Sequence, residues 1–496
     1  MTVMLVLLVT VPLAMTLLSL VLPRRVTAGA TVVAGIASFG FAVALVPVAE
    51  HGTVHAVGYL RADALSVVFV LATAFLYATT SIYSVGYFGE QARETRRAGG
   101  GAERQFRRYS MRFYVGFNAF AWSMLCAPLV NGLALLWVAI EITTVVSALL
   151  VALDRTDQAT EAAWKYVLIA SSGLGIALLA TIMLYYAGAR VLGDSYDLAF
   201  DPLLAVAKHL PTVPVQLAFG LAVIGFGTKV GLFPVHTWLP DAHAEAPTPI
   251  SILLSGALLG TSFYAIIRYY QIAVGTLGPA FPRTILAVFG VLSLLLAALY
   301  LFGQRNIKRM LAYSSVEHMG ILAIAMSFGA PLALAGLLLH VLGHATAKST
   351  AFMGAGIFVH KYATKELGKM RGALNALPWS APLFLIAVFA LCALPPFGIF
   401  RSEFMIVFGG IQSAHGVIAA ALVVLVTLAF FGLTLTTTRV LSEPAETAIP
   451  RGEPSVWMVI PMVLGLGALL MIGVHPPAEL TALLQQGAAE LAGSVR

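Results

Sequence analysis

Apolar runs of about 20 residues, the length a helix needs to cross hydrocarbon, recur along almost the whole 496-residue chain. About 14 can be marked, roughly at 3–22, 27–48, 62–87, 111–131, 133–153, 162–188, 214–237, 247–274, 282–302, 307–328, 331–359, 380–412, 416–441 and 455–474. They set the fold class as an all-α polytopic membrane protein. Only 10% of the residues are charged, too few to cover a water-facing surface. The longest intervals, near 88–112 and 187–213, are too short to fold alone. Residues 1–22 lack a basic leader and precede Arg24 and Arg25, so they read as a retained first span.

The net charge of +7 suggests a nucleic-acid partner until the cations are located. Intervals after odd-numbered spans hold 19 Lys/Arg residues, seven of them between Arg93 and Arg112, against 7 on the other side. The charge therefore reads as topology, with both termini outside a cytoplasmic (inner) membrane. Three cations remain, Lys165, Lys229 and Lys348, each inside an apolar run. An ionisable group at membrane depth costs about 2.5–3.5 kcal/mol or more and usually marks a pathway. The same runs and their neighbours carry Glu141, Glu317, Glu403, His236, His318, His340 and His344.

Two runs are broken by proline. FGTKVGLFPVHTWLP (226–240) places Pro234 after Lys229, and LCALPPFGIFRSEF (391–404) places Pro395 and Pro396 before Glu403. Proline inside a span frees backbone carbonyls, which is tolerated where the helix lines a polar cavity. Interrupted helices in corresponding positions suggest two inverted repeats, spans 4–8 and 9–13, with spans 7 and 12 broken. Glu141 then corresponds to Glu317, Lys165 to Lys348 and Lys229 to Glu403. The resulting division is 1–110 (three spans and a cytoplasmic loop), 111–275 (first repeat), 280–441 (second repeat) and 442–496 (last span and tail).

His340, His344 and Lys348 recur every fourth residue and form one helical stripe. Imidazoles titrate near neutrality and a buried lysine can fall into that range, so the stripe suits proton transfer. Zinc is not expected, because no third ligand accompanies the histidines in the sequence. Glu141 and Lys229, each among apolar residues, are expected to pair, either as a switch that releases a lysine proton or as a static ion pair. HTWLPDAHAEAPTP (236–249) crowds His236, Asp241, His243 and Glu245 between spans, as a wet proton mouth or a solvated turn. Arg401 with Glu403 suits an exit. Asp63 reads as an acid at a helix start.

Absences count too. Cys126 and Cys392 lie in different runs and cannot hold an iron–sulfur cluster or a zinc site. GAGIFVH (354–360) lacks the third glycine and the strand of a dinucleotide fingerprint. No catalytic centre and no cofactor is therefore expected in this chain, and energy for pumping must come from outside it.

Four stretches carry a family resemblance: GFGTKVGLFPVHTWLPDAHAEAPTPIS (225–251), RNIKRMLAYSSVEHMG (305–320), HVLGHATAKSTAFMGAG (340–356) and PPFGIFRSEF (395–404). In this order they resemble the proton-translocating antiporter-like subunits of respiratory complex I. WVAIEITTVVSALLVAL (137–153) followed by EAAWKYVLIASSG (161–173) is most similar to component F of hydrogenase-4. The resemblance implies two inverted five-helix repeats around a central polar axis. It assigns proton translocation to Glu141, Lys165, Lys229, His340, His344, Lys348 and Glu403; His236 joins them from the residue reading. Asp63, Asp241, His243, Lys308, Glu317, His318 and Arg401 are accessory candidates. The family often has other side chains at Glu317 and His318. The chain ends soon after its last span, without the long lateral helix of some relatives.

The resemblance implies a proton-pumping subunit of a complex I-like or membrane-bound [NiFe]-hydrogenase (formate hydrogenlyase-like) complex. Its partners are then other membrane subunits and a peripheral redox arm holding [NiFe] and iron–sulfur centres. A sodium/proton antiporter subunit is one alternative, disfavoured by the lysine-rich axis because sodium needs several oxygen ligands. A membrane subunit of an ion-driven inorganic-carbon uptake complex is another.

Overall fold

The computed structural model describes residues 2–98, 100–444 and 449–493. Arg496, one of the counted cations, lies outside them, as do the side chains of Arg96 and Arg97. Two helices, α1 (Thr2–Leu18) and α2 (Arg24–Ala49), lead into a short hairpin, β1 (Val54–Ala56) and β2 (Leu60–Ala62). The first half follows as α3 (Ala64–Ala98), α4 (Gly100–Cys126), α5 (Leu133–Val151), α6 (Asp157–Leu192), α7 (Phe200–Ala205), α8 (Thr212–Val230), α9 (Trp238–Glu245), α10 (Thr248–Leu253) and α11 (Leu259–Leu277). The second comprises α12 (Ala280–Tyr300), α13 (Ile307–Phe328), α14 (Pro331–Tyr362), α15 (Ala373–Ala376), α16 (Ser380–Leu391), α17 (Gly398–Gln412) and α18 (Gly416–Ser442). Two more close the chain, α19 (Val456–Val474) and α20 (Ala478–Ala492).

Eleven helices among the described residues are long and apolar enough to cross a membrane, one of them running from α10 through α11. The other three expected spans correspond to α1, to α4 and to the pair α16/α17. α1 has 17 residues, α4 opens with Glu103, Arg104, Arg107 and Arg108, and the double proline divides the last into 12 and 15 residues. The expected arginine-rich loop at 88–112 is helical over its described residues, which belong to the end of α3 and the start of α4. Arginines on helix ends keep the backbone hydrogen-bonded while their charges reach water.

Both breaks fall where the prolines stand. α8 ends on Gly231 at φ +84°, the left-handed conformation that glycine adopts without strain, and Phe233–Pro234 is cis. The Trp238 indole donates to the Thr228 carbonyl at 2.7 Å and the Ser293 hydroxyl accepts from Phe233 N at 2.9 Å, so side chains satisfy freed backbone groups. The second break, between α16 and α17, also contains a cis bond, Pro395–Pro396. α6 packs along α8, and α14 along α17. Gly225 permits the first crossing, since a Cβ there would lie 2.5 Å from Ala177 N.

α14 is the axis of the bundle. It touches α3, α13, α16, α17, α19 and α20, and its residues from Ala333 to Phe358 are buried. α13 is buried over nearly its whole length beside it.

Candidate functional site: a buried row of titratable side chains

Lys229 sits at the end of α8, just before the break, and is wholly buried. Its Nζ donates to the Thr144 hydroxyl of α5 at 2.9 Å and to the Tyr166 hydroxyl of α6, lying 4.7 Å from the Tyr166 ring centre. Tyr166 in turn shares a hydrogen bond with Ser147 at 2.8 Å. The expected contact pair is not there: among the described residues no ion pair joins Glu141 and Lys229. Glu141 is half-buried, its Oε1 accepting from Ser171 at 3.3 Å and its Oε2 without a hydrogen-bond partner among the described residues. Hydroxyls rather than a carboxylate solvate the lysine.

From Lys229 the row continues through rings. The Tyr166 ring lies 4.3 Å from Trp238, tilted by 31°, Trp238 lies 6.2 Å from His243, and His243 lies 6.0 Å from Phe352 on α14. Phe352 is four residues from Lys348, hence on the same helical face. His243 is fully buried, with Nδ1 on the Leu239 carbonyl at 2.8 Å and Nε2 unpaired among the described residues. The reading of 236–249 as a solvated turn is thereby corrected: its core is the eight-residue helix α9, which takes Pro240 in its first turn, where a proline needs no N–H partner, while Pro247 and Pro249 follow its end. His236 is buried beside Phe233, ring centres 6.1 Å apart.

The densest part lies between α13, α14 and α17. Lys348 Nζ donates to the Leu311 carbonyl at 2.9 Å and to the Ser314 hydroxyl. Glu317 follows one turn along α13, buried, with Oε2 unpaired among the described residues. His318 and His344 rings stand 5.0 Å apart, and His318 Nδ1 meets His340 Nε2 at 2.9 Å. His340 Nδ1 meets the Ser402 hydroxyl at 3.0 Å, and Glu403 follows Ser402 on α17 with Oε1 unpaired among the described residues. His318, His340 and Glu403 offer ligand atoms all within 4.8 Å of one another. This set is not the His340/His344 pair of the helical stripe: it joins one histidine of α14 to one of α13 and to a carboxylate of α17, 63 positions beyond His340 in sequence. Each of these imidazole bonds can donate in either direction according to tautomer, which is what passing a proton requires.

Four other assignments change. Lys165 is not enclosed by the bundle: its side chain is 43% exposed, bonded to Glu161 at 2.5 Å and 3.9 Å from Asp241. α6 has 36 residues, about 54 Å of helix, more than a core of about 30 Å requires. Asp241 also pairs with Arg309 at 3.2 Å, and Glu245 with Lys365 at 2.8 Å, which gathers this end of the molecule into a half-exposed ionic cluster. Lys308, counted as a loop cation, is buried in the first turn of α13 and donates to the Ala246 carbonyl at 2.5 Å. Arg401 forms no ion pair with Glu403 among the described residues and instead points its Nη1 at the Gly473 carbonyl, 3.5 Å away. Residues two apart on a helix do not share a face.

A second buried charge group was missed. Arg268, counted outside the spans, is 1% exposed within α11 and bonds Asp63 at 2.6 Å. Asp63 also takes Arg61 at 2.5 Å and accepts from Ser66 N at 2.8 Å, capping α3; Arg61 reaches Asp201 at 2.8 Å. The helix-start role expected of Asp63 is thus present, with two guanidiniums added. Glu490 of α20 approaches the same helix start, 3.4 Å from Ala64 N and Leu65 N; burial and the neighbouring Asp63 push its carboxyl up to about 7. Tyr166 and the π-helical turn at Leu254–Leu258, whose Ser255 meets Ser315 at 2.7 Å, were also missed. Hydroxyl side chains at these positions give no sequence signal distinguishable from ordinary span residues.

Comparison with known proteins gives the lineage. The chain is 33% identical over 423 residues to the hydrogenase-4 component F homolog of Methylacidiphilum infernorum, covering 84% of this chain and 86% of that one. It is 31% identical over 356 residues to hydrogenase-4 component B of Escherichia coli, and spans 50% of that longer protein. Its fold matches a chain of the membrane-bound sulfane sulfur reductase, an archaeal respiratory membrane complex, over the full length of both at a TM-score of 0.85 and 20% identity. Residues 130–429, which hold nearly all of the buried row, match the transmembrane family of NADH:quinone oxidoreductase and Mrp antiporter subunits. The chain is a multi-pass member of that antiporter-like membrane subunit family.

Proposed function

We propose that this chain carries protons across the membrane by way of Lys229, His243, Lys348, His344, His318, His340 and Glu403, with water carrying the proton between groups not in contact, since the intervening Trp238 and Phe352 rings cannot. The contact that carries the reading is His318–His340–Ser402, with spacings of 2.9 and 3.0 Å in a wholly buried setting. Redox chemistry in partner subunits of a hydrogenase-4- or complex I-like assembly drives the transfer, with [NiFe] and iron–sulfur centres held there. Glu141, close to Lys229 without touching it, biases the lysine through space. The division into repeats at 111–275 and 280–441 is part of the same proposal, each repeat containing one of the two breaks.

Both termini lie outside a cytoplasmic membrane in this proposal, which puts the Asp241–Arg309 and Glu245–Lys365 cluster on the cytoplasmic side as a proton mouth. A cysteine placed at residue 100 should resist labelling by an impermeant reagent added to intact cells; Cys126 and Cys392 are buried and give little background. Ready labelling would reverse the orientation. A sodium site is less well served, since the row offers chiefly nitrogen and hydroxyl groups.

The pathway is tested on the intact complex in proteoliposomes. His344→Gln keeps size and removes the proton site, so translocation should fall at least about tenfold while the complex still assembles. Undiminished translocation would return the histidine to a packing role.

A further inference from the structure

The arginines at the start of α4 close a cavity of about 290 Å³ against α2, lined by Arg24, Arg104, Arg107 and Arg108. Among the described residues no acid lines it. One wall is apolar and exposed: Leu20 and Val21 after α1, and Met111 on α4. Tyr114 forms the floor. It is 1% exposed, yet its hydroxyl has no hydrogen-bond partner among the described residues.

A buried, unpaired phenolic hydroxyl beneath four guanidinium-bearing side chains lacks an acceptor, and arginine forks match phosphate oxygens. A soluble anion would satisfy Arg104, Arg107 and Arg108 but leave Leu20, Val21 and Met111 facing water. A phospholipid satisfies both walls, with its phosphodiester among the arginines and its acyl chains along the apolar side. We propose that this cavity is a binding site for the headgroup of an anionic phospholipid such as phosphatidylglycerol, and that it anchors the α1–α2 connection to α4. Arg24 already spans the two, donating to the Phe88 carbonyl at 3.1 Å and lying 5.2 Å from the Phe106 ring centre.

The test uses the 496-residue chain in phosphatidylcholine nanodiscs, titrated with phosphatidylglycerol and, separately, with inorganic phosphate. Lipid retention is counted by native mass spectrometry. Phosphatidylglycerol should be retained in preference to phosphatidylcholine, and Arg104→Gln with Arg108→Gln should weaken its binding about 25-fold, near fivefold for each charge. Tyr114→Phe, which removes a single oxygen and keeps the ring, should weaken it about threefold or more. Arg93→Gln, at an exposed pair with Glu90 outside the cavity, should leave it unchanged. Equal retention of the two lipids, undiminished binding in both cavity variants, or an equal response to inorganic phosphate in neutral lipid would each overturn the proposal. Should the double variant fail to fold, Tyr114→Phe decides alone.

Discussion

In the second half of the chain, Glu317, His318, His340, His344, Lys348 and Glu403 are all buried and linked mainly by imidazole and hydroxyl contacts, without an ion pair among the described residues. In the first half, Lys229 alone of the corresponding charges is buried; Lys165 reaches the surface ionic cluster and Glu141 lies half-buried at the edge. The fully paired buried charges, Arg61, Asp63 and Arg268, belong to neither row and tie α3 to α11. Charges neutralised by strong ion pairs hold a structure in place, whereas weakly partnered groups can change protonation. In the proposed reading, the difference separates what holds the bundle from what carries protons.

That separation can be broken at the ionic group first. Asp63→Asn leaves Arg61 and Arg268 without their shared carboxylate and should cost about 3–5 kcal/mol of stability, read as a fall in the thermal midpoint of the purified protein. A loss below about 1 kcal/mol would mean that water or Glu490 replaces the carboxylate.

Glu490 gives a smaller, pH-dependent effect. Its carboxyl ordinarily titrates near 4.5 and in the fold near 7, so the fold binds the extra proton between these values. The stabilisation is complete below about 4.5 and is lost as pH rises through about 7, by on the order of 1–3 kcal/mol. Glu490→Gln should flatten that slope. A slope unchanged in the variant would assign it elsewhere.

The smallest effect is expected at Glu141. Because it forms no contact ion pair, Glu141→Gln should change stability by less than about 0.5 kcal/mol, whereas a static pair with Lys229 would cost about 3–5 kcal/mol.

Much of this was legible in the residues. Apolar runs located the spans, prolines located both breaks, and the fourfold spacing of His340, His344 and Lys348 located the face of α14 that carries the buried titratable groups. What was not legible is depth and direction. Hydropathy places Lys165 inside an apolar run, but the run belongs to a helix longer than the membrane, and only packing shows which turns project. Arg268 sits two-thirds along another run, and its neighbours Tyr269 and Tyr270 gave no hint that Asp63, some 200 residues earlier, would meet it. Tyr166 and Ser402, which bridge Lys229 and His340 to the next helix, are unremarkable until helices from separate segments converge.

The central claim is that the buried second-half row conducts and the exposed first-half lysine does not. Redox-driven proton translocation by the intact complex in proteoliposomes should therefore be compared between Lys348→Met and Lys165→Met. Lys348→Met should lower it at least about tenfold, and Lys165→Met should leave it within about twofold of the parent. Loss at Lys165 with retention at Lys348 would contradict the account and place the path along the surface cluster instead.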